Sequence, residues 1–170
     1  EFIVETRKKI GTDLMWVPSV CAVVLRDSTV DSPWAVPDVL LVRRADNGQW
    51  TPVTGIVDPG EEPHVAAVRE VLEETGVKVT AAAIVGVGSH GPVTHSNGDQ
   101  ASYMTVQIRC EPLDPSVEPV VGDDENTEAG WFPVSQMPVT DPKWRLAIGD
   151  AAAQRRHPGS FAPRMGLSKR

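Results

Sequence analysis

Cysteines, aromatics, basic residues and long apolar runs are all scarce in this chain. Two cysteines in 170 residues, Cys21 and Cys110, are too few for a disulfide framework. Both fall in apolar runs that read as strands, so buried thiols in a reducing compartment, and a cytoplasmic location, are expected. No apolar run reaches the roughly 20 residues that span a bilayer, and no signal-peptide pattern is visible. No membrane partner is expected; a leader upstream of Glu1, and whether Glu1-Phe2 is native, stay open. The 16 Lys+Arg against 23 Asp+Glu leave a net charge of −7, which speaks against a nucleic-acid partner. An anionic substrate would have to be reached through bound cations and a few local arginines. Repeats and low-complexity tracts are absent. What remains, with 41% hydrophobic residues, suffices for one domain with a real core, expected over residues 1–157. The basic tail, 158–170, has little apolar pattern and is expected to be mobile unless it docks on a partner chain.

One further absence is local. The window from Pro63 to Thr75 reads as a helix, with Pro63 suited to its first turn and Gly76 to its C-terminal stop. It carries Glu70, Glu73 and Glu74, and no lysine within the helix to balance them. Residues three and four apart share a helix face, so the three acids project together and repel unless a cation sits among them. Hard oxygen ligands in such a cluster suit Mg²⁺, or Mn²⁺. A merely solvated acidic face is the competing reading. On a helical wheel Val65, Val68, Val71, Leu72 and Thr75 form the arc expected to pack on a sheet. Ala66 and Ala67 flank the acids and are expected to leave room for ions and a phosphate chain.

The 23 residues Gly55 to Val77 fill every fixed position of a longer pattern: Gly55, Glu61, Arg69, Glu70, Val71, Glu73, Glu74, Gly76 and Val77. Seven identities at fixed spacing arise by chance about once in 10⁸ start points at average residue usage. The pattern resembles the signature of the Nudix hydrolases, G-x5-E-x7-R-E-U-x-E-E-x-G-U, with U a bulky apolar residue. The resemblance, of MutT-like and ADP-ribose pyrophosphatase-like type, implies an α/β fold, an α/β/α sandwich around a mixed β-sheet. It implies hydrolysis within the pyrophosphate of a nucleoside diphosphate linked to another moiety. By the same resemblance Glu70, Glu73 and Glu74 are metal ligands and catalytic residues, the Gly55 carbonyl is a further ligand, and Glu70 is a candidate base. Which Glu is the base, and how many ions bind, is left open. Arg69 is assigned a structural role, pairing with Glu61 or a helix acid, as are Glu61 and Gly76.

Outside the motif, Asp123-Asp124-Glu125 forms a second acidic site, and Glu125 matches the place of an extra metal ligand or base in several family members. A solvated loop is the competing reading there. Arg43 and Arg44 end a strand and face opposite ways; Arg44 aligns with a substrate-contacting arginine in some relatives. Trp50, Trp131 and Tyr103 can stack on a base or fill the core. His64, His90 and His95 show no metal spacing and are placed on exposed loops or helix, with His95 able to touch substrate. Val53-Thr54 departs from the Pro-Gly that precedes Gly55 in many relatives.

The remaining order is a short helix over 2–10, then strands over 17–25 and 39–43. Residues 50–53 lead into the motif, and strands follow over 78–87, 100–110 and 130–134. Loops fall over 27–37, 90–99 and 111–127, and a closing helix over 141–156. Pro92 lies near a proline of ADP-ribose-cleaving members, whereas the SQPWPFPxS array of NADH-cleaving members is absent. An ADP-ribose-like or nucleotide-sugar substrate is therefore favoured over a nucleoside triphosphate, as in MutT-like members. A non-catalytic nucleotide-sensing module is a third alternative, though such modules typically lose a box carboxylate. Relatives often dimerise, so a homodimer is an open expectation.

Overall fold

The computed structural model describes residues 2–167. Its centre is β1 (Met15–Arg26). One edge of β1 is taken in parallel by β6 (Gln100–Pro112), from Met15↔Ala101 to Val24↔Cys110. The other edge is shared. Residues 19–22 pair with β4 (Val53–Ile56), whereas 25–26 pair with β2 (Asp38–Arg44). Strands β3 (Trp50–Thr51) and β7 (Asn126–Pro133) flank β2, and β5 (Val79–Thr94) lies antiparallel to β6. Among the described residues, only β6 on β1 and β8 (Arg164–Met165) on β5 run parallel, so the eight-stranded sheet is mixed.

Alternation along β1 builds two cores. Val20, Ala22 and Val24 point to one face, where they meet Ala66, Ala67 and Val71 of α2 (Pro63–Thr75). Cys21, Val23 and Leu25 point to the other, against Ala147, Ile148 and Ala151 of α3 (Pro142–Arg156). Each fully buried Val or Leu contributes roughly 1.5–3 kcal/mol, enough to make both layers cooperative. The result is the expected α/β/α sandwich. Helix α1 (Phe2–Ile10) lies where predicted and covers Met15, Val17 and Ala101 through Ile3 and Ile10. Burial pushes the thiols of Cys21 and Cys110 up to about 12, so both are inert.

Three expectations change. Helix α2 is rotated from its predicted setting: Ala66 and Ala67 are fully buried, and Val65 and Leu72 are exposed. Small side chains let the helix approach the sheet closely. That rotation turns Glu70 and Glu74 inward, whereas an inward Val65–Leu72 stripe would have turned them to solvent. Residues 90–94, expected in a loop, continue β5, because the ladder to β6 resumes past a bulge at Gly91-Pro92 with Val93↔Ala101. The last strand begins at Asn126 rather than Gly130. In the tail, Arg164 and Met165 pair with Gly86 and Val87 of β5, Gly166 N–H donates to Val87 O at 2.8 Å, and Arg164 forks onto Asp150 at 2.7 and 3.1 Å. Residues 168–170 of the tail lie outside the described residues.

Candidate metal and substrate site

Where β1 parts from β4 and β2, a cleft of about 410 Å³ opens, with Gly55, Glu70, Glu125 and Arg44 among its lining residues. The motif geometry explains its glycine. A Cβ built on Gly55 would overlap Cγ and Cδ of Glu70, so only glycine lets β4 run against that carboxylate. Gly76, at φ 70°, ends α2 in the left-handed conformation and returns its N–H to Leu72 O.

Arg69 is the hub of the motif. Its Nε and one terminal nitrogen grip Glu61 at 2.8 and 2.9 Å, and the latter also donates to Ile56 O at 3.1 Å. The other terminal nitrogen donates to Glu70 Oε1 at 2.8 Å and Glu73 Oε2 at 3.3 Å. This network ties the helix to β4 and to the Asp58–Glu61 turn, where Glu61 also accepts from Asp58 N–H. The Arg69 hydrogen bonds hold the Glu61 carboxyl below its ordinary range and raise the Arg69 pKa further. Arg69→Ala should lower the melting temperature by roughly 5 °C, the loss of charged hydrogen bonds costing about 2 kcal/mol. Turnover should fall with it. A variant altered only in KM, with unchanged melting by calorimetry, would refute the structural role.

The structure separates the three helix acids. Glu73 lies exposed, in Arg69's grip. Glu70 lies against Gly55, and burial outweighs Arg69 in raising its carboxyl above the ordinary range. Glu74 is 4% exposed. Burial above all pushes its carboxyl up to about 8, with the charges of Glu70, Glu125 and Asp123 adding to the shift and an Asn126 hydrogen bond opposing it. Asn126 Nδ2 donates to Glu74 Oε1 at 3.0 Å, and Glu74 Oε2 has no partner. One carboxylate oxygen from each of Glu74, Asp123 and Glu125 lies within 4.8 Å of the other two. Three acids around an orphaned buried oxygen are unfavourable as they stand, and they fit a divalent cation.

Backbone contacts bring the second acidic loop there. Val120 N–H donates to Thr75 O and Gly122 N–H to Glu74 O, both at 2.9 Å. A Cβ on Gly122 would overlap the Glu73 carbonyl oxygen. Glu125 was expected from the sequence as a ligand or base, and Asp123 as a member of the same acidic site; Asn126 was not. Their signal was weak: an acidic run ahead of the last strand, with nothing to say which members turn inward.

Arg44 lines the cleft and Arg43 does not. Arg43 bonds Glu128 and Gly48 O, whereas Arg44 forks onto Asp46 at 2.9 and 2.7 Å, which holds Asp46 below its ordinary range. Of the aromatics, Trp50 packs edge-on against Phe132 in the core, and Trp131 lies under Arg26 at 4.4 Å. Tyr103 alone of the three lines the cleft. It is joined there by His90 and His95, which sit on the long β5 and the turn after it, and by Lys143 and Trp144, which sequence reasoning missed.

The NUDIX domain model matches residues 15–153, which contain both cores and the whole cleft. The chain belongs to the NUDIX family. Among curated NUDIX relatives, the chain is 30% identical over 150 residues to an NAD-capped RNA hydrolase of Deinococcus radiodurans, covering 85% of this chain and 48% of that protein. It is 43% identical over 49 residues to a MutT-like protein of Streptomyces ambofaciens, covering 29% of this chain and 32% of that one. The chain thus spans a third to a half of these relatives' length. An ADP-ribose pyrophosphatase from Streptococcus suis shares the fold, with a TM-score of 0.64 and 20% identity over 88% of this chain and 98% of that one. Among the described residues, no helix is long and apolar enough to cross a membrane.

Proposed function

We propose that the chain is a divalent-metal-dependent pyrophosphohydrolase that cleaves a nucleoside diphosphate linked to another moiety. The orphaned Glu74 oxygen among three carboxylates, at one end of an open cleft, carries this reading. Glu74, Asp123 and Glu125, with Glu70, Glu73 and the Gly55 carbonyl, would hold Mg²⁺ or Mn²⁺. A bound ion supplies charge neutralisation and Lewis acidity for the pyrophosphate. The chain's own residues do the rest. Arg69 fixes the direction of Glu70 and Glu73. The floor of β1, β4 and β6 orients the substrate, and Arg44 meets a phosphate oxygen by sharing its guanidinium with Asp46. Glu70 or Glu125 takes the proton of the attacking water, both lining the space where the phosphorus would sit.

An ADP-ribose-like or nucleotide-sugar substrate is preferred, with nucleoside triphosphates second. The structural likeness to the Streptococcus suis ADP-ribose pyrophosphatase supports the first and the local likeness to a MutT-like protein the second. A nucleotide-sensing module without turnover is disfavoured by the complete carboxylate set. The protein works in the cytoplasm on this reading, and a homodimer is compatible with it.

The test is a phosphate-release screen with excess Mg²⁺ over ADP-ribose, nucleotide sugars, dinucleoside polyphosphates and nucleoside triphosphates, with a coupling phosphatase or pyrophosphatase as each product requires. Glu125→Gln is run beside the parent. Turnover on at least one substrate, lost in EDTA and more than tenfold lower in the variant, is expected. Silence across the panel with metal still bound would leave the sensing module. A rate unchanged in Glu125→Gln would return that loop to the solvated class.

A further inference from the structure

The cleft has a second end whose chemistry differs from the first. Away from the acids its wall is aromatic and basic. The Tyr103 and His90 rings stack at 5.0 Å and 15°, and the Tyr103 hydroxyl and His95 Nε2 are hydrogen-bonded at 2.8 Å. Tyr103 is thereby held from two sides. Burial, and then the Lys143 ammonium, keep the His90 imidazole below its ordinary range, which favours the uncharged ring. Lys143 and Trp144 reach the same end from the first turn of α3, the ammonium 4.7 Å from the indole centroid. Among the described residues no carboxylate pairs with Lys143.

Below this wall lies a recess of about 30 Å³ between Gln107, Thr105, Lys143 and Leu167. It is too small for a ring and wide enough for one amino group. Gln107 is 4% exposed, and its Oε1 has no hydrogen-bond partner. One unpaired acceptor and one carboxylate-free ammonium therefore share an aromatic recess. A nucleobase matches every part: a π face for the wall, an N–H donor for Gln107 and a carbonyl or ring nitrogen for Lys143.

We propose that this end of the cleft is a nucleobase subsite, with Tyr103 and His90 as its stacking wall and Lys143 and Gln107 as the residues that read the base edge. The assignment of the phosphates to the opposite, acidic end rests on the pyrophosphohydrolase reading. On that reading the group beyond the scissile bond points out past Arg44, and base selectivity is set by β6 and α3 rather than by the motif.

Nucleosides test this without phosphate or metal. Adenosine, guanosine, cytidine and uridine are titrated in EDTA at millimolar concentration and followed by ligand-observed saturation-transfer NMR. The proteins are the parent, Lys143→Ala, Gln107→Leu and, as a control, Lys9→Ala, which alters a lysine outside the cleft. At least one nucleoside should bind the parent and Lys9→Ala alike. Lys143→Ala should weaken it at least fivefold, and Gln107→Leu should change the order of preference among the four. Failure of all four nucleosides to bind the parent, or equal binding with unchanged order in both cleft variants, overturns the subsite. Nucleoside binding without any pyrophosphate turnover would sink the enzyme reading and leave the subsite. Turnover without nucleoside binding would do the reverse.

Discussion

Glu74→Gln is expected to lower metal-dependent turnover by about a thousandfold while making the metal-free protein more heat-stable above neutral pH. The two effects have one cause. The folded-state pKa of Glu74 is about 8, against an ordinary value of 4.5, so the fold prefers the neutral acid. Its stabilising contribution is complete below about pH 4.5 and is lost as pH rises through 8. At roughly 1.4 kcal/mol per pH unit, the loss amounts to several kcal/mol, shared with Glu70, Asp123 and Glu125. A divalent ion reverses the sign by favouring the carboxylate. The substituted glutamine would keep the bond from Asn126 and donate its own amide hydrogens towards the acids, and it cannot ionise. Calorimetric melting in EDTA should show the parent falling by roughly 5–10 °C between pH 5 and 9, with the variant much flatter. With excess Mg²⁺ the parent should regain stability at pH 8 and the variant should gain little. Parallel melting curves in EDTA would show that Glu74 is not the strained group.

Parts of this were legible in the sequence because chemistry constrains residue type. Glu61, Arg69, Gly55 and Gly76 each make a contact or take a backbone conformation that few side chains can replace, and their spacing, with that of Glu70 and Glu74, survives as a pattern. The rotation of α2 was not legible, because weighting a helical wheel by side-chain size favours Val65 and Leu72. Close packing used Ala66 and Ala67 instead. The preference is set by the Gly55–Glu70 contact, which is a fact about two elements at once. Asp123 was legible as a member of an acidic run but not as its inward member, and Asn126 was hidden, for a similar reason. Their place follows from two backbone hydrogen bonds to the end of α2, and backbone bonds leave no mark on side-chain composition. Gly91 and Pro92 read as loop residues by local rule, whereas the ladder to β6 absorbs them as a bulge in β5. In the tail, Arg164 and Leu167 find Asp150 and Gly88, partners no local pattern names.

Asp38→Ala is expected to lower the melting temperature by about 10 °C and to weaken divalent-ion binding from outside the site. Arg26 and Asp38 pair at 3.1 Å, both nearly fully buried, where β1 meets β2. Removing one partner of a buried pair costs roughly 3–5 kcal/mol, because the other charge is left unmatched. Arg26 also holds Pro115 O at 2.9 Å, lies over the Trp131 ring and reaches the mostly exposed Glu118 at 3.7 Å. The functional consequence runs through those contacts. Pro115 and Glu118 belong to the loop that crosses to α2 and delivers Asp123 and Glu125 to Glu74; Trp131 pins the same loop by donating to Val117 O at 3.0 Å. An Arg26 guanidinium drawn towards water would loosen the span and spread the three acids. Replacing both partners, Arg26→Met with Asp38→Leu, should restore most of the melting temperature, since a matched apolar pair carries no desolvation penalty. It should leave Mg²⁺ affinity weakened, because methionine cannot hold Pro115 O. Calorimetry with Mn²⁺ as the titrant separates the two readouts. Recovery of both stability and metal affinity in the double variant would mean that the loop is held by the α2 contacts alone and that Arg26 serves only the sheet.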